Sequence, residues 1–506
     1  MDHIKPAPEK AAGFFIALYK AICYYITQTL KKEQRLDLDK EIEKKIEMEK
    51  EKLKSEIKMD GEANKMGTVP INKLLASMAW PAILSMTINA LYNIVDSIFV
   101  AMVSKEALTA VSIVMPLQML MISLAVGSGV GVNSLIARRL GAKRFAEANQ
   151  AASTSVRIGV LNYVIFLLVG LFLAKPFMAA YTDDPVIYSG GLIYLRIVLC
   201  FCIFSMIDIQ LEKVLQATGN MMSPMIISLS GAVTNIVLDP ILIFGLIGAP
   251  ELGIAGAAIA TVIGQCVSMT LAIIIVLRKE HDVTVKIRGF KMDWKVVSDI
   301  YGVGLPSIFM QSIGSVMLFG YNAILSSSIT AVAVLGAYFK LQSFVFMPVF
   351  GLNQGAMPIM GYNFGAKNKA RLMETYKKGF LTALVIMGIG LVIFQLFPQY
   401  LLKLFSADAE MMEMGVPALR IISICFIPAS FGIMTSTLFQ GTGHGMYSLL
   451  GSLIRQLICI LPIAYVLYHL YGITASWASF PLAEIAGTIY SLLMLRYLYN
   501  KEIKNL

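Results

Sequence analysis

The sequence repeats itself along its length. Identical residues recur 224 positions apart, pairing Gly127 with Gly351, Gly131 with Gly355, Arg196 with Arg420 and Gln216 with Gln440. The offset stays constant over about ninety residues, which is long enough to mark a duplicated structural unit. A chain built this way folds as two related copies, and we expect its site to lie where the copies meet.

Composition places both copies in a lipid bilayer. The chain of 506 residues is 57% hydrophobic and only 15% charged, which is more apolar surface than a soluble fold could bury. A hydrocarbon core of roughly 30 Å needs about twenty apolar residues per helix. Twelve stretches meet this length, at 79–102, 108–136, 151–174, 187–213, 222–247, 253–277, 298–325, 330–357, 379–405, 414–438, 446–469 and 472–495. The sequence therefore predicts an all-α polytopic membrane protein with six helices in each copy.

An even number of spans in each copy makes the two lobes parallel, because the second copy enters the membrane from the same side as the first. The loops after spans 2, 6 and 8 are rich in basic residues, among them Arg138, Arg139, Arg278, Lys295, Lys367 and Arg371. By the positive-inside rule these loops and both termini are cytoplasmic, and we expect a multi-pass protein of the plasma membrane. The net charge of +10 reflects this topology and does not indicate a nucleic-acid partner.

The chain divides into an N-terminal extension at 1–66, a first lobe at 67–296 and a second lobe at 297–506. Within the extension, residues 13–31 show apolar and polar positions at helical spacing. We expect a cytoplasmic amphipathic helix lying on the membrane surface, with a thirteenth span as the less favoured alternative. The charged segment that follows has no pattern that indicates chemistry.

Polar residues inside the predicted spans mark the candidate site, because a buried carboxylate costs about 2.5 to 3.5 kcal/mol in lipid and needs a partner or a water-filled cavity. Two helix faces qualify: Asn89, Tyr92, Asn93 and Asp96 in span 1, and Ser228, Asn235 and Asp239 in span 5. Pro240 has no N–H, so it leaves the carbonyl of Ile236 free beside them. Such oxygen ligands suit a hard cation or a proton, although the same residues could simply join helices.

These acids have no counterparts in the second copy. Asn235 and Asp239 align with Cys459 and Ile463, and Asp96 aligns with Tyr321 when the prolines Pro81 and Pro306 are matched. Two carboxylates in one low-dielectric pocket can exchange a proton near physiological pH. The pattern therefore predicts an ion-dependent switch that only the first lobe provides.

Three stretches together resemble the multidrug and toxic compound extrusion (MATE) family. They are Trp80–Pro81 with the run Asn93 to Val100, the run Asn235 to Pro240, and the stretch Gly351 to Lys367. The similarity covers roughly residues 70 to 500 and implies a V-shaped antiporter of twelve helices. Members of this family expel organic, often cationic, compounds in exchange for H⁺ or Na⁺.

The resemblance also implies a site. The family's first-lobe ion site maps onto Asp96, Asn235, Asp239 and Thr261, with Tyr92 and Tyr194 beside it and Pro81 where the first helix bends in some relatives. This favours the branch with acids in the first lobe, similar to DNA-damage-inducible and archaeal members. The other branch uses acids in spans 7 and 10, whereas here span 7 has only Asp299 at its start. We expect Glu484 and Lys340, the remaining charges of the second lobe, to neutralise each other.

Other functional classes fit less well. The sequence has no Walker motif to bind ATP, no metal-binding spacing among its six cysteines, and no HExxH motif among its four histidines, so we expect neither an enzyme nor a cofactor. No metal is expected apart from Na⁺, should Na⁺ be the coupling ion. The alternatives are a flippase of the same superfamily for lipid-linked oligosaccharide or peptidoglycan precursors, and a channel. The expected partners are small organic cations and membrane lipids, and the expected state is a monomer.

Overall fold

The computed structural model describes residues 64–278, 282–286, 293–405 and 407–506, and every regular element among them is a helix. Residues 65–506 form one compact unit. The predicted surface helix at 13–31 and the charged segment after it lie outside the described residues, so the expectations for them stay predictions.

Twelve spans cross this unit, as the hydropathy pattern predicts. Ten described helices are long and apolar enough to cross a membrane, and two bent helix pairs bring the number to twelve. In chain order we label them α1 to α12: Ile71–Val103, Lys105–Gly141, Phe145–Tyr181, Pro185–Cys200 with Ile203–Ala217, Met222–Phe244, Ile254–Arg278, Trp294–Leu325, Ile329–Gly365, Lys369–Leu396, Ala409–Ser423 with Phe426–Gly441, Gly445–Tyr471 and Ile473–Asn505. The first half of the unit is α1 to α6, and the second half is α7 to α12.

Several helices are longer than the bilayer requires. The helix α2 has 37 residues, which at about 1.5 Å per residue exceeds the roughly 30 Å hydrocarbon core. Hydropathy marks only the apolar middle of such a helix, whereas its start is set by a cap: the Ser104 hydroxyl accepts the N–H of Ala107. The two bent pairs, α4 and α10, bend by 45° and 46° at positions related by the repeat. The duplication is therefore visible in helix shape as well as in sequence.

The two halves meet through glycines that the repeat supplies twice. In α2, a Cβ at Gly131 would overlap the backbone carbonyl oxygen of Ile300 in α7. In α8, a Cβ at Gly355 would lie 2.9 Å from the backbone nitrogen of Ala79 in α1, closer than any real Cβ contact. The halves thus pack backbone against backbone, which is how helices gain van der Waals contact in lipid.

Polar contacts join the halves at the end of the unit that carries the basic loops. Arg139 in α2 forms an ion pair with Asp299 in α7, with 3.0 Å between Nη2 and Oδ2, and also pairs with Glu147. From the second half, Arg371 donates to the backbone oxygens of Met66 and Val69 at 3.0 and 2.7 Å. This end of the unit is therefore closed by both ionic and backbone contacts.

We predict that Gly131→Ala lowers stability by about 1 to 3 kcal/mol, because α2 must move away from α7 to admit the methyl group. The matched control is Gly388→Ala in α9, where nothing lies within 4 Å of an added Cβ. Thermal unfolding of the purified variants in detergent measures the difference. A Gly131→Ala melting temperature equal to that of the control would contradict the close packing of the halves.

Candidate functional site

Three residues of the predicted ion site lie together between α5 and α6. The Asn235 amide donates to Asp239 Oδ1 at 3.3 Å and to Thr261 Oγ1 at 3.4 Å, while the Thr261 hydroxyl donates to the carbonyl of Ala257 at 3.0 Å. Asn235 and Asp239 are buried, and the oxygens Asn235 Oδ1 and Asp239 Oδ2 have no hydrogen-bond partner among the described residues. Buried oxygens without partners are costly, so this cluster is suited to receive a cation or a proton.

The neighbouring helices α1 and α4 complete the cluster. Asp96 in α1 is close enough to Asp239 for their charges to interact, and its Oδ1 atom is also buried without a partner. Tyr92 in α1 and Tyr194 in α4 lie within electrostatic range of both acids, and Tyr194 also hydrogen-bonds Gln118. The structure thus brings all six of these predicted residues into one region, with acceptor oxygens supplied by three helices.

Pro81, the seventh predicted residue, lies apart from this cluster. It is buried in α1, fifteen residues before Asp96, and the helix continues through it from Ile71 to Val103. Fifteen residues correspond to about 22 Å of helix. Pro81 therefore lies beside the contact between the halves, where Gly351 and Gly355 of α8 meet α1.

In the second half, an aromatic core occupies the position of the first-half acid Asp96. Tyr321 is fully buried, and its hydroxyl donates to the Ser476 carbonyl at 2.8 Å. Its ring stacks on Trp477 and packs against Phe480, with ring centroids 5.9 and 5.0 Å away. The corresponding region of the second half is therefore packed and apolar, in contrast to the cluster of unpartnered oxygens in the first.

A second charged group in the first half was missed by the sequence analysis. Asp208, Glu212 and Lys213 lie on α4, inside predicted span 4. Ser228 donates to Glu212 Oε1 at 2.7 Å, and Asp208 Oδ1 is buried without a partner. The spacing of four between the two acids was the available signal, because it places both on one face of a helix.

Lys213 connects this group to the other half. Its ammonium donates to Gln216 Oε1 and to Gln354 Oε1, each at 2.9 Å, and Gln354 belongs to α8. The side chain passes Gly129 so closely that a Cβ there would lie 2.7 Å from Lys213 Cγ. The lysine ammonium thus binds amide oxygens. Among the described residues, the carboxylate of Asp208 has no ion-pair partner.

These groups line a cavity of about 450 Å³ that is formed mainly by α1, α4, α5 and α6, with contributions from α2, α7 and α8. Asp208, Glu212 and Lys213 lie on its α4 wall, and its opposite walls include Tyr92, Asn235 and Thr261. The ion cluster therefore borders a space large enough for an organic molecule. With two carboxyl groups and one amino group on α4, this wall has more acidic than basic residues.

The predicted pairing of Glu484 with Lys340 is wrong. Glu484 in α12 binds Arg455 in α11, with 2.9 Å between Nη1 and Oε1, and this pair lines a second cavity in the second half. Lys340 is exposed, and its ammonium lies 6.0 Å from the ring centroid of Phe405. The sequence analysis overlooked Arg455, which lies on the neighbouring helix α11.

A protein-family model matches both halves of the chain. The model described as MatE matches residues 81–241 and 306–466, which lie in the first and second half respectively. The chain is similar to the multidrug export protein MepA of Staphylococcus aureus (strain MSSA476), with 25% identity over 439 residues that cover 85% of this chain and 95% of MepA. The Staphylococcus saprophyticus protein of the same name is 26% identical over 425 residues, which cover 83% of this chain and 92% of that protein.

Solved structures agree with the fold. The outward-facing conformation of a multidrug resistance MATE family transporter of the MOP superfamily superposes with a TM-score of 0.81 and 26% identity, over 88% of this chain and 99% of that one. A MOP superfamily transporter from Pyrococcus furiosus Vc1 (DSM3638) gives a TM-score of 0.81 and 25% identity, over 87% and 98% of the two chains. The predicted all-α architecture of two six-helix lobes is therefore confirmed.

We predict that Tyr321→Phe lowers the free energy of unfolding by about 1 kcal/mol, because the Ser476 carbonyl loses its buried hydrogen-bond donor. Tyr471→Phe, at a side chain that is 73% exposed, serves as the control and should be neutral. Denaturation followed by intrinsic fluorescence compares the two variants. Equal stability of both would argue against a structural role for the Tyr321 hydroxyl.

Proposed function

The chain belongs to the MatE family of multidrug efflux transporters, and we propose that it exports organic cations in exchange for H⁺ or Na⁺ across the plasma membrane. The matched relatives are transporters, so at the level of the family the chain is not an enzyme. The observation that carries the proposal is the first-half cluster, in which buried carboxylate and amide oxygens lack partners.

The coupling ion binds at Asp96, Asn235, Asp239 and Thr261. Oxygen atoms from a carboxylate, an amide and a hydroxyl can coordinate Na⁺, and either carboxylate can instead take up a proton. Tyr92 in α1 and Tyr194 in α4 lie within electrostatic range of the two acids. This assignment corresponds to the branch with its acids in the first lobe. Both H⁺ and Na⁺ fit the site as coupling ions.

The organic cation occupies the neighbouring cavity. Glu212 and Asp208 supply negative charge on its wall, and Lys213 directs its own charge toward Gln216 and Gln354. A flippase for pyrophosphate-linked lipids would need free cationic groups at this place. The excess of acids therefore favours a cationic substrate over a lipid-linked phosphate.

Alternating access follows from the contact between the halves. The closed end carries the basic loops, which the positive-inside rule assigns to the cytoplasm together with both termini. Closure at the cytoplasmic side corresponds to an outward-facing state, the state in which the similar MATE transporter was described. Ion and substrate then act by binding one state more tightly than the other, and a monomer suffices for this cycle.

We predict that the purified protein in proteoliposomes drives dye export under an imposed H⁺ or Na⁺ gradient. The two gradients are imposed separately, with tetramethylrhodamine methyl ester as the cationic dye. Transport under one gradient and its loss when that gradient is collapsed are the expected results, because the proposed exchange draws its energy from an ion gradient. Export that continues without any ion gradient would contradict the proposal.

We predict that Asp96→Asn and Asp239→Asn each reduce gradient-driven transport at least tenfold, since Asn keeps the size of the side chain but removes its charge and its proton. Asn235→Ala should shift the half-saturating concentration of the driving ion, because it removes one ligand. The matched control is Asp183→Asn in the exposed loop before α4. Initial transport rates at equal expression give the comparison, and wild-type rates in both acid variants would assign these residues to structure.

A further inference from the structure

The second half contains a cavity that is the repeat-related counterpart of the first. It has a volume of about 280 Å³ and is lined by α7, α8, α10, α11 and α12. Residues lining the two cavities correspond at the offset of 224: Glu212 with Ser436, Gln216 with Gln440, and Ser228 with Ser452. The duplication therefore produced two cavities of related construction.

The charges of the two cavities differ at corresponding positions. Where the first cavity has Asp208 and Glu212, the second has Gly432 and Ser436. Where the first has Gly231, the second has the guanidinium of Arg455. The first cavity is thus acidic, whereas the second presents one cation and its partner Glu484.

Arg455 lies on an irregular turn of its helix. Residues Ile454–Cys459 form a π-helical turn inside α11, whereas the repeat-related residues of α5 lie in a regular α-helix. A π turn adds one residue to the helix and rotates the side chains that follow, and such turns are frequent at functional sites. Arg455 and Gln456 both line the second cavity, as the repeat-related Gly231 and Ala232 line the first.

The guanidinium remains available to a ligand. Glu484 accepts one of its five N–H groups at 2.9 Å, and the Arg455 side chain is 22% exposed against 11% for Glu484. Hydroxyl and amide groups of Ser436, Ser452 and Gln456 line the same space. A buried ion pair is weak evidence for a stabilising role. The Arg455–Glu484 pair lies at a cavity with polar walls, which favours a role in ligand binding.

The two cavities adjoin at one residue. Gln311 of α7 lines both of them, so the two cavities lie next to each other at this side chain. We propose that the second-half cavity binds the carboxylate of substrates that carry both a cationic and a carboxylate group. Arg455 contacts that carboxylate in competition with Glu484. This inference rests on the proposed export of organic cations.

The test uses two dyes that differ in one group. Tetramethylrhodamine carries a cationic ring system and a free carboxylate, and its methyl ester carries the same ring system without the charge on the carboxylate. Equilibrium binding of each dye to the full-length protein in nanodiscs is measured by fluorescence anisotropy. No ion gradient is present, so the result does not depend on ion coupling.

We predict that Arg455→Gln raises the Kd of tetramethylrhodamine roughly tenfold, as expected for loss of a charged hydrogen-bonded partner. Glu484→Gln should lower that Kd roughly threefold, because the ligand carboxylate no longer competes with Glu484. Both variants should leave the Kd of the methyl ester within about twofold, and Glu212→Gln should weaken both dyes alike. Arg496→Gln, at an exposed arginine of α12, is the matched control.

A higher Kd of tetramethylrhodamine for Arg455→Gln and a lower Kd for Glu484→Gln support the inference. Low yield of one variant does not affect this comparison, because each Kd is measured on folded protein. Equal weakening of both dyes by Arg455→Gln and Glu484→Gln would show that the ion pair only maintains the fold, and would overturn the inference alone. Absence of binding of either dye to the wild-type protein would count against both the inference and the proposed function.

Discussion

The rest of the structure depends on the close approach of two helix pairs, α2 with α7 and α8 with α1. Lipid provides no hydrophobic force between helices, so the halves can associate only through dense packing and polar contacts. Gly131 and Gly355, repeat-related glycines, remove the side chain at each approach. Because the halves meet as backbone surfaces, they can be held at the end with the basic loops while their interiors retain cavities.

Those cavities are where the chain can retain charge. A carboxylate or guanidinium exposed to lipid is strongly unfavourable, and the buried acids Asp239 and Glu484 both lie at or near a cavity. Each half has such a cavity, but different residues line the two cavities. The first kept acids on α1, α4 and α5, whereas the second placed Tyr321 in an aromatic core and gained Arg455 on a π turn.

The difference between the halves bears on function because a transporter needs sites with separate tasks. Unpartnered oxygens of Asp96, Asn235 and Asp239 suit a small ion, while the open cavity beside them suits a larger molecule. Lys213 joins these regions to the second half through Gln354. Since that hydrogen bond crosses between the halves, a ligand that changes the charge around Lys213 also acts on the contact that the proposed alternating access would change.

The sequence alone determined the number of spans, the parallel duplication and the location of Asp96 and Asp239 in the first half. Each of these follows from residue type and spacing, because apolar length, the repeat offset and helical periodicity are local properties. The tertiary structure decided which charges meet. It paired Glu484 with Arg455 instead of Lys340. It also placed Thr261 and Tyr194 beside the acids, and it directed Asp208 and Glu212 toward a cavity. Such contacts depend on how helices far apart in the chain pack, and no spacing within one helix specifies its neighbour.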